Sequence, residues 1–299
     1  MRAPRSVVLV LALLLTACAG SAQAPVPLDD AGLVVADHAG ATLVIATLDP
    51  AALGENIVRV FMRDTGGKPV GGSAHVSLRR GTTEVAASDV AAGGSTTLTV
   101  TAADSYELVV EARPDRQPTG AVRFPLTLPA RRPDADLLAR VDLTMNALRG
   151  LRESQTLTSG SFVYVFAYDY QAPDRIRYGF VGPDGGIHET VIVGASRFDR
   201  DGQGPWTTSD LGSSLTTASF SFADAPHRVR QIGSEVLDGR EALVIALASG
   251  APPYERYYRL WIDAFDSRVL RYTMMATGHY MGGSYREFNA PIEVAPPTQ

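Results

Sequence analysis

Residues 134–151 read DADLLARVDLTMNALRGL. Apolar residues fall at Leu137, Leu138, Val141, Met145, Leu148 and Leu151, the three- and four-residue spacing of one helix face. Asp134 stands where a cap would start such a helix and Gly150 where a glycine would stop it. The spacing predicts a single amphipathic helix of about four turns. On both sides of it the period of the apolar residues is two, the period of strands. The chain therefore reads as mainly β, divided by one helix.

On the N-terminal side, Ala74, Val76 and Leu78 alternate with Ser73, His75 and Ser77. Leu98 and Val100 sit between threonines, and Tyr106, Leu108, Val110 and Ala112 alternate with mostly polar neighbours. Val122, Phe124, Leu126 and Leu128 repeat the pattern. Turn signals separate the runs: Asp64-Thr-Gly-Gly, Arg80-Gly81, Ala92-Gly-Gly and Pro114-Asp115. Short alternating strands at this spacing predict a β-sandwich with one buried face per sheet. Pro129-Ala-Arg-Arg-Pro133 breaks the pattern and reads as a linker.

Beyond the helix the expected strands are 161–170, 175–182, 188–193, 228–237, 241–248, 257–263, 268–276 and 285–289, an antiparallel set joined by Gly-, Asp- and Pro-containing turns. The Ser/Thr-rich stretch from Gly202 to Pro226 is the least regular part and reads as a mobile loop. A sheet with one helix must cover its face with that helix or bind something there.

The start of the chain has the parts of a secretory signal: Arg2 and Arg5, an unbroken apolar run from Val7 to Leu15, then small residues. The run is too short for the roughly 20 apolar residues of a membrane span. Cleavage after Ala22-Gln23-Ala24 would be the ordinary reading. However, Leu15-Thr16-Ala17-Cys18 resembles the bacterial lipobox, and Cys18 is the chain's only cysteine. A lipidated Cys18 would anchor the mature protein outside the cytoplasm, on a bacterial cell membrane. Residues 1–17 are then the signal and 18–29 a flexible tether. With no second cysteine there is no internal disulfide. The net charge of −5 argues against a nucleic-acid partner.

Two resemblances extend this reading. Residues 134–291 resemble the LolA-like lipoprotein-carrier fold, and within it the LppX/LprAFG group of mycobacterial-type lipoproteins. The carriers are the opening helix, YDYQAPDRIRYGF (168–180), ETVIVGASRFDRDGQGPW (189–206) and YRLWIDAFDSRVLRYTM (258–274). The resemblance implies a half β-barrel, a curved antiparallel sheet covered by the long helix, which holds a lipid or other apolar molecule and carries no catalytic residue or cofactor. Its lining carries over as candidates: Phe162, Tyr164, Phe166, Tyr178, Phe180, Ile245, Leu247, Leu260 and Ile262, faced by Leu138, Val141 and Met145 of the helix. The plain alternative for each is core packing. Residues 30–129 resemble YtkA/FixH-like extracytoplasmic domains through GENIVRVFMRDTGGKPVGGSAHVSL (54–78) and RPDRQPTGAVRFPLTL (113–128). That implies an immunoglobulin-like sandwich, joined to the second domain by residues 130–133; residues 292–299 form a tail.

The YtkA/FixH-like family often occurs beside copper-transport proteins, so the resemblance also implies a metal site as an alternative. Thioether and imidazole suit Cu(I), and Met275, His279 and Met281 cluster around the turn at Gly278. Neighbouring residues of a strand point to opposite faces, which separates Met274 from Met275. His188 precedes Glu189 but position 192 is Ile, so the zincin pattern fails. Gly71-Gly-Ser73-Ala-His75 lacks the last glycine of a nucleophile elbow, Gly202-Gln-Gly204 lacks the third glycine of a dinucleotide loop, and Asp199-Arg-Asp201-Gly202 lacks the later Glu of a calcium loop. The expectation is a non-catalytic, lipid-anchored protein that binds an acyl lipid or apolar small molecule. A metal-handling accessory protein and a sensor that binds an unidentified protein partner are the alternatives.

Overall fold

The computed structural model describes residues 32–159, 162–182, 185–215, 219–250 and 255–298. The expected signal, Cys18 and the tether lie outside the described residues. The first eight strands are β1 (Leu33–Ala39), β2 (Thr42–Asp49), β3 (Gly54–Arg63), β4 (Gly72–Arg80), β5 (Thr83–Ala91), β6 (Ser95–Val100), β7 (Asp104–Pro114) and β8 (Gly120–Leu128). They form two four-stranded antiparallel sheets, ordered β1-β2-β3-β6 and β5-β4-β7-β8. Alternation places Val58, Val60 and Met62 of one sheet and Val76, Leu108, Val110 and Phe124 of the other in one shared core.

After the helix α1 (Leu137–Asn146) come β9 (Gly150–Ser159), β10 (Phe162–Gln171), β11 (Arg175–Val181), β12 (Ile187–Val193), β13 (Ser196–Asp201), β14 (Thr207–Asp210), β15 (Pro226–Leu237), β16 (Arg240–Ser249), β17 (Arg256–Asp263), β18 (Val269–Ala276) and β19 (His279–Arg286). All eleven strands join one antiparallel sheet, ordered β14-β13-β12-β11-β10-β9-β19-β18-β17-β16-β15. Its two faces have different neighbours. α1 covers one face over β16–β19, through Leu137, Leu138, Val141 and Met145. The first module packs on the other face, where Val34, Ala36, Leu43 and Ile45 meet Ala248, Tyr257 and Met275. These are called the helix side and the sandwich side below.

This docking changes the expected one buried face per sheet. β1 and β2 are buried on both faces, because Val35, Val44 and Ala46 point into the shared core while Val34 and Ile45 point at the large sheet. Strands enclosed on both sides read as continuous apolar runs, as LVVA and TLVIATL do. The β3–β4 loop also touches the large sheet. At Gly278, with φ +71°, a Cβ would stand 2.6 Å from the Thr65 carbonyl oxygen, so a side chain there would collide with backbone.

The helix is shorter than its apolar spacing predicts. It ends at Asn146, and Leu151 belongs to β9, opposite Tyr170 of β10. Asp136, not Asp134, is its N-cap residue. Neither aspartate caps the backbone: both pair with the Arg140 side chain. Three strands escape the period-two reading. β9 (GLRESQTLTS) carries Glu153 and Gln155 where alternation would show apolar residues, β13 has Phe198 as its one apolar side chain, and β14 is polar on both faces. β19 was expected at 285–289 and lies at His279–Arg286, where Gly282 and Gly283 hide the strand signal. The C-terminal residues do not form a free tail. Val294 is fully buried, its N–H donates to Gln171 Oε1, and its carbonyl accepts from Arg175. Ala130 and Arg131 of the linker are likewise held, to Ala51 and to Gln231 of β15.

Candidate functional site

The candidate lining residues divide into two groups. Leu138, Val141 and Met145 of α1 lie against Ile245 and Leu247 of β16 and Leu260 and Ile262 of β17. None of these seven is more than 7% exposed. Leu148, Phe220 and Phe222 close the margin of this cluster. The segment that carries Phe220 and Phe222 is fixed to the helix. Asp142 accepts hydrogen bonds from the N–H groups of Phe222 and Ala223, both 2.8 Å, and the Asn146 side chain bonds both the N–H and the carbonyl of Phe220. The stretch expected as a mobile loop thus ends, at 220–223, as part of the cover. This half of the helix side is a packed core.

The other five candidates lie on β10 and β11, beyond the helix. Phe162, Tyr164, Phe166, Tyr168 and Tyr170 alternate along β10, and the register puts Phe180 opposite Phe166 and Tyr178 opposite Tyr168. They share the helix side with Met281, because Leu157 of β9 pairs with both Tyr164 and Met281. The rings form a continuous ladder. Centroids are 5.5 Å apart for Phe166–Tyr168 and Tyr168–Tyr170, both stacked, and 5.0 Å for Phe166–Phe180. His188 of β12 stacks on Phe180 at 4.7 Å and bonds Asp201 at 2.6 Å. Apart from half-exposed Phe162, the ladder is partly buried: the rings shield one another and keep one face open.

Tyr168, Tyr170 and His188 were missed among the candidates, although the even-numbered alternation of FVYVFAYDY already placed both tyrosines on the Phe166 face. A second missed feature stands where the ladder meets the packed core. Glu153 of β9 is 4% exposed and accepts hydrogen bonds from Tyr272 (2.5 Å), Tyr170 (3.0 Å) and Gln155 (3.1 Å). Gln155 also donates to the Tyr272 hydroxyl at 2.7 Å. Burial holds the Glu153 carboxyl above the usual carboxylate range, and the donated hydrogen bonds partly oppose that. Burial, with the Glu153 charge beside them, pushes the Tyr170 and Tyr272 hydroxyls up. No sequence signal marked this network, because β9 itself was not visible.

The three residues of the metal alternative do not converge. Met281 pairs with Met274 and faces the helix side; Met275 pairs with Tyr280 and is buried against Val34 and Ile45 on the sandwich side. The sheet stands between the two sulfur atoms. His279 pairs with Ala276 and shares the Met281 face, so one thioether at most could join its imidazole from that set. An open hollow of about 680 Å³ lies in the first module and is lined largely by polar groups, among them Asp64, Asp115, Arg116 and Gln117.

No protein-family model matches the chain, and no curated protein does. Among solved structures, the lipoprotein LppX of Mycobacterium tuberculosis matches at 16% identity and a TM-score of 0.44, over 55% of this chain and 100% of that one. LprF from Mycobacterium bovis matches at 10% identity and 0.41, over 55% of this chain and 96% of that one. With values this low, ligand and role must be read from the residues of this chain.

Proposed function

We propose that this chain is a membrane-anchored extracytoplasmic lipoprotein that binds an acyl lipid or other apolar molecule along the aromatic ladder on the helix side of its large sheet. One observation carries the reading. α1 and the 220–223 segment cover β16–β19, while the rings from Tyr164 to Tyr170, with Tyr178 and Phe180, keep a face that no described element covers. A ligand laid on that face would gain about 25 cal/mol for each Å² of apolar surface removed from water. The anchor rests on the lipobox resemblance at Cys18, and the reading takes the modules as an immunoglobulin-like sandwich and a LolA-like half-barrel. The protein acts without catalysis, as a carrier or holder.

Titration with a dansyl-labelled undecanoic acid tests this. The expected result is saturable, blue-shifted fluorescence that Phe166→Ser with Phe180→Ser weakens about tenfold or more. Binding that does not saturate would refute the ladder as a site. A second reading, a docking face for a protein partner, draws on the packed core beneath α1 combined with exposed apolar side chains. A stoichiometric complex with a protein that leaves the fatty-acid probe bound would separate the two.

A further inference from the structure

The end of the sheet where β10 begins is apolar on both faces. Phe162, Val163, Val165, Val181 and Ile187 are each between 47% and 56% exposed. On the sandwich side, Val165, Val181 and Ile187 stand opposite one another across β10, β11 and β12, with Val163 beside them. On the helix side of the same strand ends lie Phe162 and Tyr164. The first module does not reach β10–β12, since its contacts fall on β15–β18, the β18–β19 turn and Tyr280 at the start of β19. The C-terminal segment does not reach it either; Ile292 and Val294 cover Val191, at the far end of β12.

We infer that this end of the sheet enters a lipid surface. Three observations favour a bilayer over a protein. A protein partner covers one face of a sheet, whereas the apolar residues here occupy both, as contact with a surrounding medium requires. Each face offers at most a few half-exposed side chains, far short of the roughly 800 Å² per partner of a stable complex. Charge is also sparse along the strands that lead into this end. Residues 154–168, which include the end of β9 and most of β10, contain no Asp, Glu, Lys, Arg or His. Between Val181 and Ile187 the sequence carries one acidic residue, Asp184; beyond Ile187 the polar side chains are paired, His188 with Asp201 on one face and Glu189 with Arg200 on the other. From Phe162 to Val165 the strand advances about 10 Å, comparable to the roughly 5–10 Å depth reached by interfacial elements. The ladder starts at this same end, so an acyl chain could pass from the lipid surface to Phe166 without leaving aromatic contact.

Flotation with neutral phosphatidylcholine vesicles tests the inference. Residues 24–299 retain every described residue and lack Cys18, so no acyl anchor contributes. The chain should float with the vesicles, equally well in 1 M salt, because no charge pairing is involved. Val165→Asp with Ile187→Asp should cut the partition at least tenfold. Val163→Ser with Val165→Ser, milder in case the first pair disturbs folding, should cut it severalfold. Both pairs point away from the ladder and should leave dansyl-fatty-acid binding intact, so this inference and the ladder reading can fail separately. No flotation of the unsubstituted chain would overturn it, and so would flotation that both pairs leave unchanged. A stable dimer in sedimentation that Val165→Asp splits would overturn it as well, by making the face a self-contact.

Discussion

Glu153 is the residue whose behaviour is most at odds with its surroundings. A carboxylate buried among tyrosines is tolerable only while its lone pairs are used, and Tyr170, Tyr272 and Gln155 use them. Its folded pKa lies above its unfolded value, so the native state binds the extra proton in the intervening pH window. Its contribution to stability is therefore complete below the unfolded pKa and is lost as pH rises through the folded one. Glu153→Gln removes that loss. In urea unfolding, the variant should gain on the parent as pH is raised from about 4 to 8, by at most about 1.4 kcal/mol per pH unit for one proton. A difference independent of pH would show that the carboxyl titrates alike in both states. Gly283 positions the network. A Cβ there would stand 2.7 Å from the Tyr272 ring, so Gly283→Ala should displace Tyr272 from Glu153, remove a hydrogen bond that holds the carboxyl down, and steepen the same pH dependence.

At the scale of elements, α1 acts as a plug and is held as one. Val141 is fully buried in the cluster with Leu260 and Ile262. Val141→Trp should therefore cost about 1–3 kcal/mol or more of stability, as overpacking does. If the variant unfolds with an unchanged midpoint, there is room beneath the helix and the packed-core description is wrong. Asp142→Ala removes two charge-assisted bonds to the 220–223 segment. It should cost about 1.5–3 kcal/mol and speed hydrogen exchange at the Phe222 and Ala223 amides. Legibility in the sequence followed the same division. Strands rich in apolar and aromatic residues, such as β10, β16 and β17, were visible within a residue or two of their ends. β9 was not, because its helix-side positions carry the Glu153 network; β19 was not, because two glycines make room there for tyrosines. The ladder was half visible: Phe162, Tyr164 and Phe166 were named, and their parity extends to Tyr168 and Tyr170. The split between filled core and open ladder depends on where α1 lies across the sheet, and no periodicity encodes that.

For the whole molecule, the arrangement is one large sheet with unequal cover. The first module buries one face of β15–β18 and α1 buries the opposite face of β16–β19, so β10–β12 extend from the assembly with their aromatic side open. Docking depends on strands that are apolar on both faces. Ala36→Asp would put a charge beside Val34, against the large sheet, and should lower the unfolding midpoint without reducing strand content. The central claim is that the open ladder holds an apolar ligand. Native mass spectrometry of residues 24–299, purified without detergent and then offered a diacyl lipid, tests it most directly. The account predicts a discrete adduct of lipid mass, lost or much reduced in Phe166→Ser with Phe180→Ser. A bare protein mass that persists with lipid in excess would contradict it.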